Sequence, residues 1–486
     1  MLNYSNEIWR DLYCRFPVHI QNLATSIYGF RHKKKKYGRY YWKHLAFLEQ
    51  SQWYSYEALK NLQDQRVKDF VSYAASNVPY YRELFSREKI SPGAIQCVED
   101  LRGLPLLDKE TICHNNNNLE SPLFNNKDSD IVRIHTSGTT GKALQMNVSL
   151  EAWQREYAFR EIHYSWGKIR SGMRIASFAG HPVVPTYCLS PPFWRHNWAE
   201  NQLLFSSQHI TLSALPYYVE KLRQFRPELV HGYPSSVYLV ALWILDTGLS
   251  DIRPIAVFTH SETLLDFQRH AIECAFGCKV FNWYGNSEQV ANIVECEYGG
   301  LHVKMEHSAV EFIKPDGRPA RAGEQGNLVC TSFGNYATPL IRYRLNDIAI
   351  PSDRVCDCGR QGQLVEEISG RVEDIIVTPD GRHVGRLDHL FKDMLNVREA
   401  QIIQERVDDL TIKIVKRPNF SESDMKLLEK EARLRLGSAI KLRYEFVDTL
   451  SRDPSGKLRF VVSKVPINIR HGRQLLSGND ATVDSK

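Results

Sequence analysis

Between residues 174 and 282, short apolar runs alternate with longer segments of helical periodicity. The apolar runs predict strands at residues 174–178, 229–231, 254–259 and 279–282. The periodic segments predict helices at residues 217–225, 235–247 (with Ser235 as its cap) and 264–276. This alternation is typical of parallel β-α-β units in a layered α/β fold, whose ligands bind where the carboxyl ends of the strands meet the loops.

The last hundred residues have an alternation of their own, which predicts a separate α/β unit. Strands are expected near residues 401–406, 410–415 and 442–446. Between them, a capping-box-like opening at Ser421 begins a predicted helix that ends at Gly437. Near the start of the chain, the apolar positions between residues 55 and 75 predict a further helix.

Composition narrows the class of protein. With 486 residues, 43% of them hydrophobic and 24% charged, the sequence indicates a soluble globular protein with two or more domains. A net charge of +6 without a basic recognition module excludes a dedicated nucleic-acid binder. Ten scattered cysteines and the lack of a signal peptide favour the reducing cytoplasm. The longest apolar run, residues 237–245, is too short for a transmembrane helix.

The densest charge cluster lies at residues 31–39, within an N-terminal region rich in aromatic side chains. The default interpretation is a solvated loop. The alternative is a patch that meets an anionic surface or polymer, which leaves peripheral contact with a membrane open.

A run of hydroxyls and glycines follows an apolar segment at residues 131–134. It comprises Ser137, Gly138, Thr139, Thr140, Gly141 and Lys142. Glycines allow close backbone approach, and turning N–H groups with hydroxyls form a donor surface suited to phosphate oxygens. The spacing is not that of a Walker A loop. A polar surface turn is the alternative interpretation.

Further polar motifs follow predicted strands. In the predicted loop at residues 283–288, Tyr284 could cover a flat base and Glu288 could hold Mg²⁺, although a turn with a solvated carboxylate fits equally well. Asp347 could accept hydrogen bonds from ribose hydroxyls or pair with a neighbouring arginine. Residues 370–374 suit a domain boundary that touches a phosphate or sugar, and residues 454–457 suit a hairpin tip that presents Lys457.

The order and spacing of these motifs are more specific than any one of them. Thr-Ser-Gly-Thr-Thr-Gly-Lys at 136–142, Tyr-Gly-Asn-Ser-Glu at 284–288, Tyr-Arg-Leu-Asn-Asp at 343–347, Gly-Arg-Val-Glu-Asp at 370–374 and Pro-Ser-Gly-Lys at 454–457 resemble the core motifs of the adenylate-forming (acyl-CoA synthetase-like) superfamily. Within it, the chain resembles the phenylacetate-CoA ligase branch, and most of all the capsular polysaccharide biosynthesis proteins, through residues 78–81, 232–235 and 356–360.

The resemblance implies a large N-terminal α/β domain at residues 1–372 and a small C-terminal α+β domain at 373–470 that rotates on a hinge. Residues 471–486 are then expected to be a disordered tail. The implied reaction uses ATP to convert a small carboxylic acid into an acyl-adenylate with release of pyrophosphate. The acyl group then passes to a thiol, amine or hydroxyl, with surface or capsular polysaccharide biosynthesis as the biological setting.

The resemblance also implies residue roles. The phosphates of ATP would be held by Ser137, Gly138, Thr139, Thr140, Gly141 and Lys142. Three residues would take part in catalysis. Lys457 would bridge the attacked phosphate and the carboxylate, Glu288 would bind Mg²⁺, and Arg371 would contact ribose or phosphate. Tyr284 would lie along the adenine, Asp347 would take the ribose hydroxyls, and Glu373 would occupy the hinge.

Departures from the family pattern leave the acceptor open. Residues 345–347 read Leu-Asn-Asp, Glu373 replaces the usual hinge Asp, and residues 378–382 differ from the loop that serves thiolation in CoA ligases. Coenzyme A therefore competes with an amine, a sugar hydroxyl and a carrier protein. The alternative function is a catalytically weakened relative that binds a nucleotide or glycan as an assembly component.

A second constellation combines Cys296 and His302 with Cys356 and Cys358. Three thiolates and one imidazole would complete a tetrahedral Zn²⁺ site. Buried cysteines without a metal are the alternative, since the Cys-x-Cys spacing is tighter than in the usual zinc knuckle. In the resembled branch, the Cys-x-Cys-Gly-Arg motif looks like a structural metal clip.

Overall fold

The computed structural model describes residues 13–124, 130–135, 144–180, 183–185, 188–211, 213–262, 264, 266–314, 316–369, 376–384, 387–391, 394, 396–416, 418–448, 450 and 461–465. Its helices are α1 (Val18–Lys36), α2 (Arg39–Ser51), α3 (Tyr56–Asn77), α4 (Pro79–Arg87), α5 (Lys109–His114), α6 (Asn116–Leu119), α7 (Leu150–Trp166), α8 (Leu215–Phe225), α9 (Pro234–Asp246), α10 (Asp266–Phe276) and α11 (Glu422–Leu436).

The described strands fall into one large sheet and three small ones. The first ten are β1 (Ile131–His135), β2 (Gln145–Ser149), β3 (Ile175–Phe178), β4 (Trp194–Asn197), β5 (Gln202–Phe205), β6 (Leu229–Gly232), β7 (Ala256–His260), β8 (Val280–Gly285), β9 (Asn292–Glu295) and β10 (Leu301–Val303). The others are β11 (Ser308–Ile313), β12 (Gly326–Ser332), β13 (Tyr343–Ser352), β14 (Leu364–Ser369), β15 (Ile376–Val377), β16 (His383–Val384), β17 (Val397–Arg406), β18 (Asp409–Lys416), β19 (Lys441–Phe446) and β20 (Val461–Ser463).

The large sheet has twelve described strands in the order β11-β12-β13-β14-β10-β9-β8-β7-β6-β3-β5-β4. Strands β5, β3, β6, β7 and β8 run parallel, as the alternating pattern predicts. At β8 the sheet turns antiparallel, because β9 returns along it as a hairpin. Apolar helix faces cover the parallel part, where Leu222, Val240 and Ile272 are buried in one core with strand residue Val230. The predicted α/β class is confirmed.

Two boundaries differ from those predicted from the sequence. Ser235 does not cap α9, because the helix already begins at Pro234, whose fixed φ suits the first helical position. Residues 283–285 are not a loop but the end of β8, because Tyr284 and Gly285 pair with Ile293 and Asn292 of β9. The apolar run of a strand does not indicate which later strand will pair with its end.

The basic cluster is a helix and not the predicted loop. Its lysines form the last turn of α1, whose chain continues to Lys36 before Tyr37 and Gly38 end it. Lysine is a good helix former, and cations near a helix C-terminus interact favourably with the helix dipole. Among the residues that the structure describes, no helix is both long and apolar enough to cross a bilayer.

Near the C-terminus, a four-stranded sheet in the order β19-β18-β17-β20 packs against α11. The predicted capping box is confirmed, since the side chains of Ser421 and Asp424 exchange hydrogen bonds with each other's backbone at the start of the helix. Gly437 ends the helix, as predicted. Leu428, Ala432 and Leu436 of α11 are buried in a core shared with the sheet.

Candidate active site and cysteine-histidine cluster

Part of the predicted site lies outside the described residues. This applies to the predicted phosphate loop at 136–142, to Arg371 and Glu373, and to Lys457. What is described is the frame around that loop. Strands β1 and β2, on either side of the predicted motif, pair antiparallel, with His135 opposite Gln145.

The motifs at 284–288 and 343–347 meet through their tyrosines and acids. The hydroxyl of Tyr284 donates to Oδ2 of Asp347 at 2.7 Å. The hydroxyl of Tyr343 donates to Oε1 of Glu288 at 3.2 Å. Each tyrosine therefore donates a hydrogen bond to the carboxylate of the other motif. The two segments lie side by side in opposite directions, although 55 to 63 residues separate the bonded partners along the chain.

The turn between β8 and β9 positions Glu288. The Asn286 side chain accepts from the backbone N–H of Val290 at 2.9 Å, and the Asn286 carbonyl accepts from Gln289 N–H at 3.1 Å. Gln289 adopts a left-handed backbone with φ of 57°. This tight turn directs Glu288 inward, where only 8% of the residue is exposed. A buried carboxylate beside the end of a parallel strand is suited to an oxygen-binding cation such as Mg²⁺.

The neighbouring strand ends add polar groups that the sequence analysis missed. His231, at the end of β6, lies 2.8 Å from the hydroxyl of Tyr164 and 2.8 Å from that of Ser177. The ring of His260, at the end of β7, lies 5.8 Å from the His231 ring and 5.9 Å from the Tyr233 ring. A histidine at or next to the last position of each of two buried strands was the signal that could have found them.

The four predicted metal ligands come together. Their donor atoms, in Cys296, His302, Cys356 and Cys358, all lie within 4.8 Å of one another. Sγ of Cys296 lies 3.4 Å from Sγ of Cys356, and Sγ of Cys358 lies 3.3 Å from Nε2 of His302. A disulfide would require about 2.05 Å between sulfurs. Donors around a tetrahedral Zn²⁺ at about 2.3 Å would lie about 3.8 Å apart, so the cluster fits zinc.

The surroundings of the cluster also fit a metal. A Cβ on Gly300 would come within 2.7 Å of Sγ of Cys356, so the glycine leaves room for the donors to converge. Burial lowers the pKa of His302 to about 4, which keeps its imidazole neutral and able to ligate. The cluster lies at the opposite end of β9 from the turn that holds Glu288, because Cys296 follows the last residue of that strand. A metal here would therefore be structural.

The sequence matches one protein family and several known proteins. Residues 376–464 match the CapK C-terminal domain family. Over 471 residues, 96% of this chain and 100% of the relative, the sequence is 28% identical to Protein CapK of Staphylococcus aureus. It is 27% identical over 347 residues to the phenylacetate-coenzyme A ligase of Thermus thermophilus, covering 66% of this chain and 72% of that protein.

A solved structure shares the fold. A 2-hydroxyisobutyryl-CoA ligase, solved with 2-HIB-AMP and CoA in the thioesterification state, superposes with a TM-score of 0.56. The match covers 84% of this chain and 90% of that one at 17% identity. The resemblance predicted from the ordered motifs is confirmed: the chain is a homologue of Protein CapK and of the phenylacetate-coenzyme A ligases, with the fold of the adenylate-forming enzymes.

Proposed function

We propose that the protein activates a carboxylic acid with ATP, forming an acyl-adenylate and pyrophosphate, and then transfers the acyl group to a thiol, amine or hydroxyl. The observation that carries the proposal is the exchange of hydrogen bonds between Tyr284 and Asp347 and between Tyr343 and Glu288. It joins the motifs assigned to adenine, ribose and magnesium at one end of the parallel strands, where ligands of such sheets bind.

The chemistry follows from the charges involved. A carboxylate oxygen of the acid attacks the α-phosphorus of ATP, and the bond from that phosphorus to the bridging oxygen of pyrophosphate breaks. Asp347 holds the ribose hydroxyls, and the loop at 136–142 holds the departing phosphates. Glu288 would hold Mg²⁺, and the cation would supply positive charge next to the phosphate oxygens. Lys457 stabilises the charge that gathers between the two reacting groups.

The acyl group is assigned to the strand ends that carry His231, His260 and Tyr233. The His260 ring lies 5.8 Å from the His231 ring and 5.9 Å from the Tyr233 ring, so these strand ends present ring surfaces against which the acyl group would pack. Both ring nitrogens of His231 already hold hydrogen bonds, to Tyr164 and Ser177. The biological setting proposed is surface polysaccharide biosynthesis, which the CapK likeness over 96% of the chain supports.

The test is pyrophosphate release from Mg²⁺-ATP across a panel of aromatic, aliphatic and hydroxylated carboxylic acids. The expected result is pyrophosphate release that depends on the added acid. AMP release on addition of coenzyme A, an amino sugar or a sugar then identifies the acceptor class. Tight ATP binding without release for any acid would contradict the proposal and favour the nucleotide-binding assembly component.

We further infer that Cys296, His302, Cys356 and Cys358 bind one structural Zn²⁺. The donors come from the turn after β9, from β10 and from the loop before β14, three neighbouring strands of the sheet. Binding them to one cation would fix these loops relative to each other. Arg360 strengthens the site, since its backbone N–H lies 3.4 Å from Sγ of Cys358 and its guanidinium pairs with Glu297 at 2.8 Å.

Protein purified without chelator is expected to contain about one zinc per chain by elemental analysis. Removing zinc should lower the Tm, because a ligand present at a thousand times its Kd stabilises the folded state by about 4 kcal/mol. Cys356→Ser should lose the metal and show the same lower Tm. The exposed Cys274, changed to serine, serves as the matched control and should keep both. Substoichiometric zinc in the wild-type protein would contradict the assignment.

A further inference from the structure

The side of helix α1 that packs against the rest of the protein is polar. Its buried residues include Gln21, Thr25 and Ser26. The helix covers β4, the edge strand of the large sheet. Asn22 accepts a hydrogen bond from the backbone N–H of His196 at 2.9 Å, and Ser26 donates to the carbonyl of the same residue at 3.3 Å. An edge strand has unpaired backbone groups, so its cover has to be polar.

The opposite side of α1 is apolar and exposed. The fractional exposure is 37% for Ile20, 52% for Leu23, 50% for Ile27 and 55% for Phe30. At about 100° per residue these four side chains lie within about 80° of arc, roughly opposite the buried polar residues. A surface helix of a water-soluble protein normally has the reverse arrangement, with apolar residues facing the core and polar residues facing water. The outward face of α1 is therefore fitted to an apolar environment.

The charges that α1 itself carries have one sign. Exposed Arg31, Lys33, Lys34 and Lys35 follow it in the last turns of the helix. From residue 12 to residue 48 the chain has eight Lys and Arg and no Asp or Glu, more positive charge than the net +6 of the whole protein. Nζ of Lys34 lies 4.8 Å from the centre of the Phe30 ring. The basic groups thus border the apolar stripe directly.

We propose that these residues form a docking surface for an anionic lipid bilayer. The surface, here called the lipid face, comprises Ile20, Leu23, Ile27, Phe30, Lys34 and Lys35. The helix, about 28 Å long, lies in the membrane plane with its stripe at the boundary between headgroups and acyl chains and its lysines among the headgroup phosphates.

The charge pattern favours lipid over a second copy of the chain as the occupant. Pairing two α1 helices in parallel would bring their lysine clusters together. Pairing them antiparallel would set each cluster against Arg15 and His19, and residues 12–48 offer no acid to compensate. Like charges facing each other across an interface oppose association. An anionic bilayer complements both the apolar stripe and its basic border.

The experiment is co-sedimentation of the full-length protein with vesicles, without ATP. We expect binding to vesicles of phosphatidylcholine and phosphatidylglycerol in equal parts, weakening with salt, and little binding to phosphatidylcholine alone. A basic residue near an anionic surface contributes about 1 kcal/mol, or about fivefold in affinity. Lys34→Glu with Lys35→Glu should therefore weaken partitioning more than tenfold. Leu23→Gln with Ile27→Gln should do the same by removing the apolar stripe.

Matched controls change similar residues elsewhere. Lys68 and Lys441 are exposed lysines for the charge reversal, and Leu245 and Ile255, 42% and 43% exposed, serve for the glutamine changes. The controls should bind vesicles like the wild type, and all variants should keep the wild-type Tm. Equal binding of the lipid-face variants and the wild type to anionic vesicles would overturn the proposal. So would concentration-dependent dimerisation that these variants abolish, in a wild-type protein that ignores vesicles.

Discussion

Glu288→Gln is expected to reduce pyrophosphate release by about a hundredfold to a thousandfold, the usual cost of removing one preorganised charge-stabilising group. The amide keeps the shape of the side chain and can still accept the hydrogen bond from Tyr343, so folding should be unaffected. What disappears is the negative charge that would hold Mg²⁺. The loss should accordingly be partly relieved at high Mg²⁺, which a titration of initial rates measures.

Tyr343→Phe separates the charge of Glu288 from its positioning. This variant keeps the carboxylate and removes the hydroxyl that orients it. A hydrogen bond to a charged group contributes about 1.5 kcal/mol or somewhat more, so the rate should fall by about tenfold, less than in Glu288→Gln. Wild-type pyrophosphate release from Glu288→Gln would contradict the magnesium assignment. A loss that is the same in both variants and insensitive to Mg²⁺ would also contradict it.

Features of the fold that depend only on a local stretch of sequence could be predicted. Buried parallel strands are short apolar runs, and their helices have periodic apolar faces, so the order of elements from 174 to 282 could be predicted without the structure. The start of α11 could also be predicted, because the Ser421 and Asp424 capping box needs only its own residues. The metal donors could be proposed from their chemistry, although 60 residues separate Cys296 from Cys356.

What the sequence could not predict depends on distant partners. Tyr284 belongs to β8 only because β9 pairs with it, and its hydrogen bond to Asp347 depends on where β13 lies. The inverted polarity of α1 has the same origin. Ser26 is buried because an edge strand offers backbone groups to it, and that edge exists only in the folded sheet. A helix judged by its own apolar stripe would be placed the wrong way round.

Rotation of the C-terminal unit remains a prediction, and one described contact bears on it. Arg382, in the β15-β16 hairpin, donates from Nη1 to the carbonyl of Arg435 at 2.6 Å and to that of Gln208 at 3.3 Å. The first bond lies within the C-terminal unit, and the second joins it to a residue that follows β5. Rotation of the C-terminal unit would break the second of these bonds and leave the first intact.

Lys457→Ala is expected to abolish adenylation while leaving acyl transfer intact. The cation is useful only while negative charge gathers between the carboxylate and the α-phosphate, and removing it should cost at least about a hundredfold to a thousandfold in pyrophosphate release. If the acyl-adenylate is supplied ready-made, the variant should still pass the acyl group to its acceptor. The second step is expected to use another face of the small domain after rotation. Single-turnover assays of each half-reaction measure the two effects separately.

Glu373→Pro should have the complementary defect. A proline at the predicted hinge fixes the φ torsion, so the variant should form one equivalent of acyl-adenylate and then fail to turn over. Both variants should keep the wild-type Tm, because each changes a step and not the core. The mechanism of alternating domain positions requires that the two variants lose different half-reactions. If Lys457→Ala lost both half-reactions equally while remaining folded, or lost neither, one fixed arrangement would have to serve both steps and the predicted rotation would have to be abandoned.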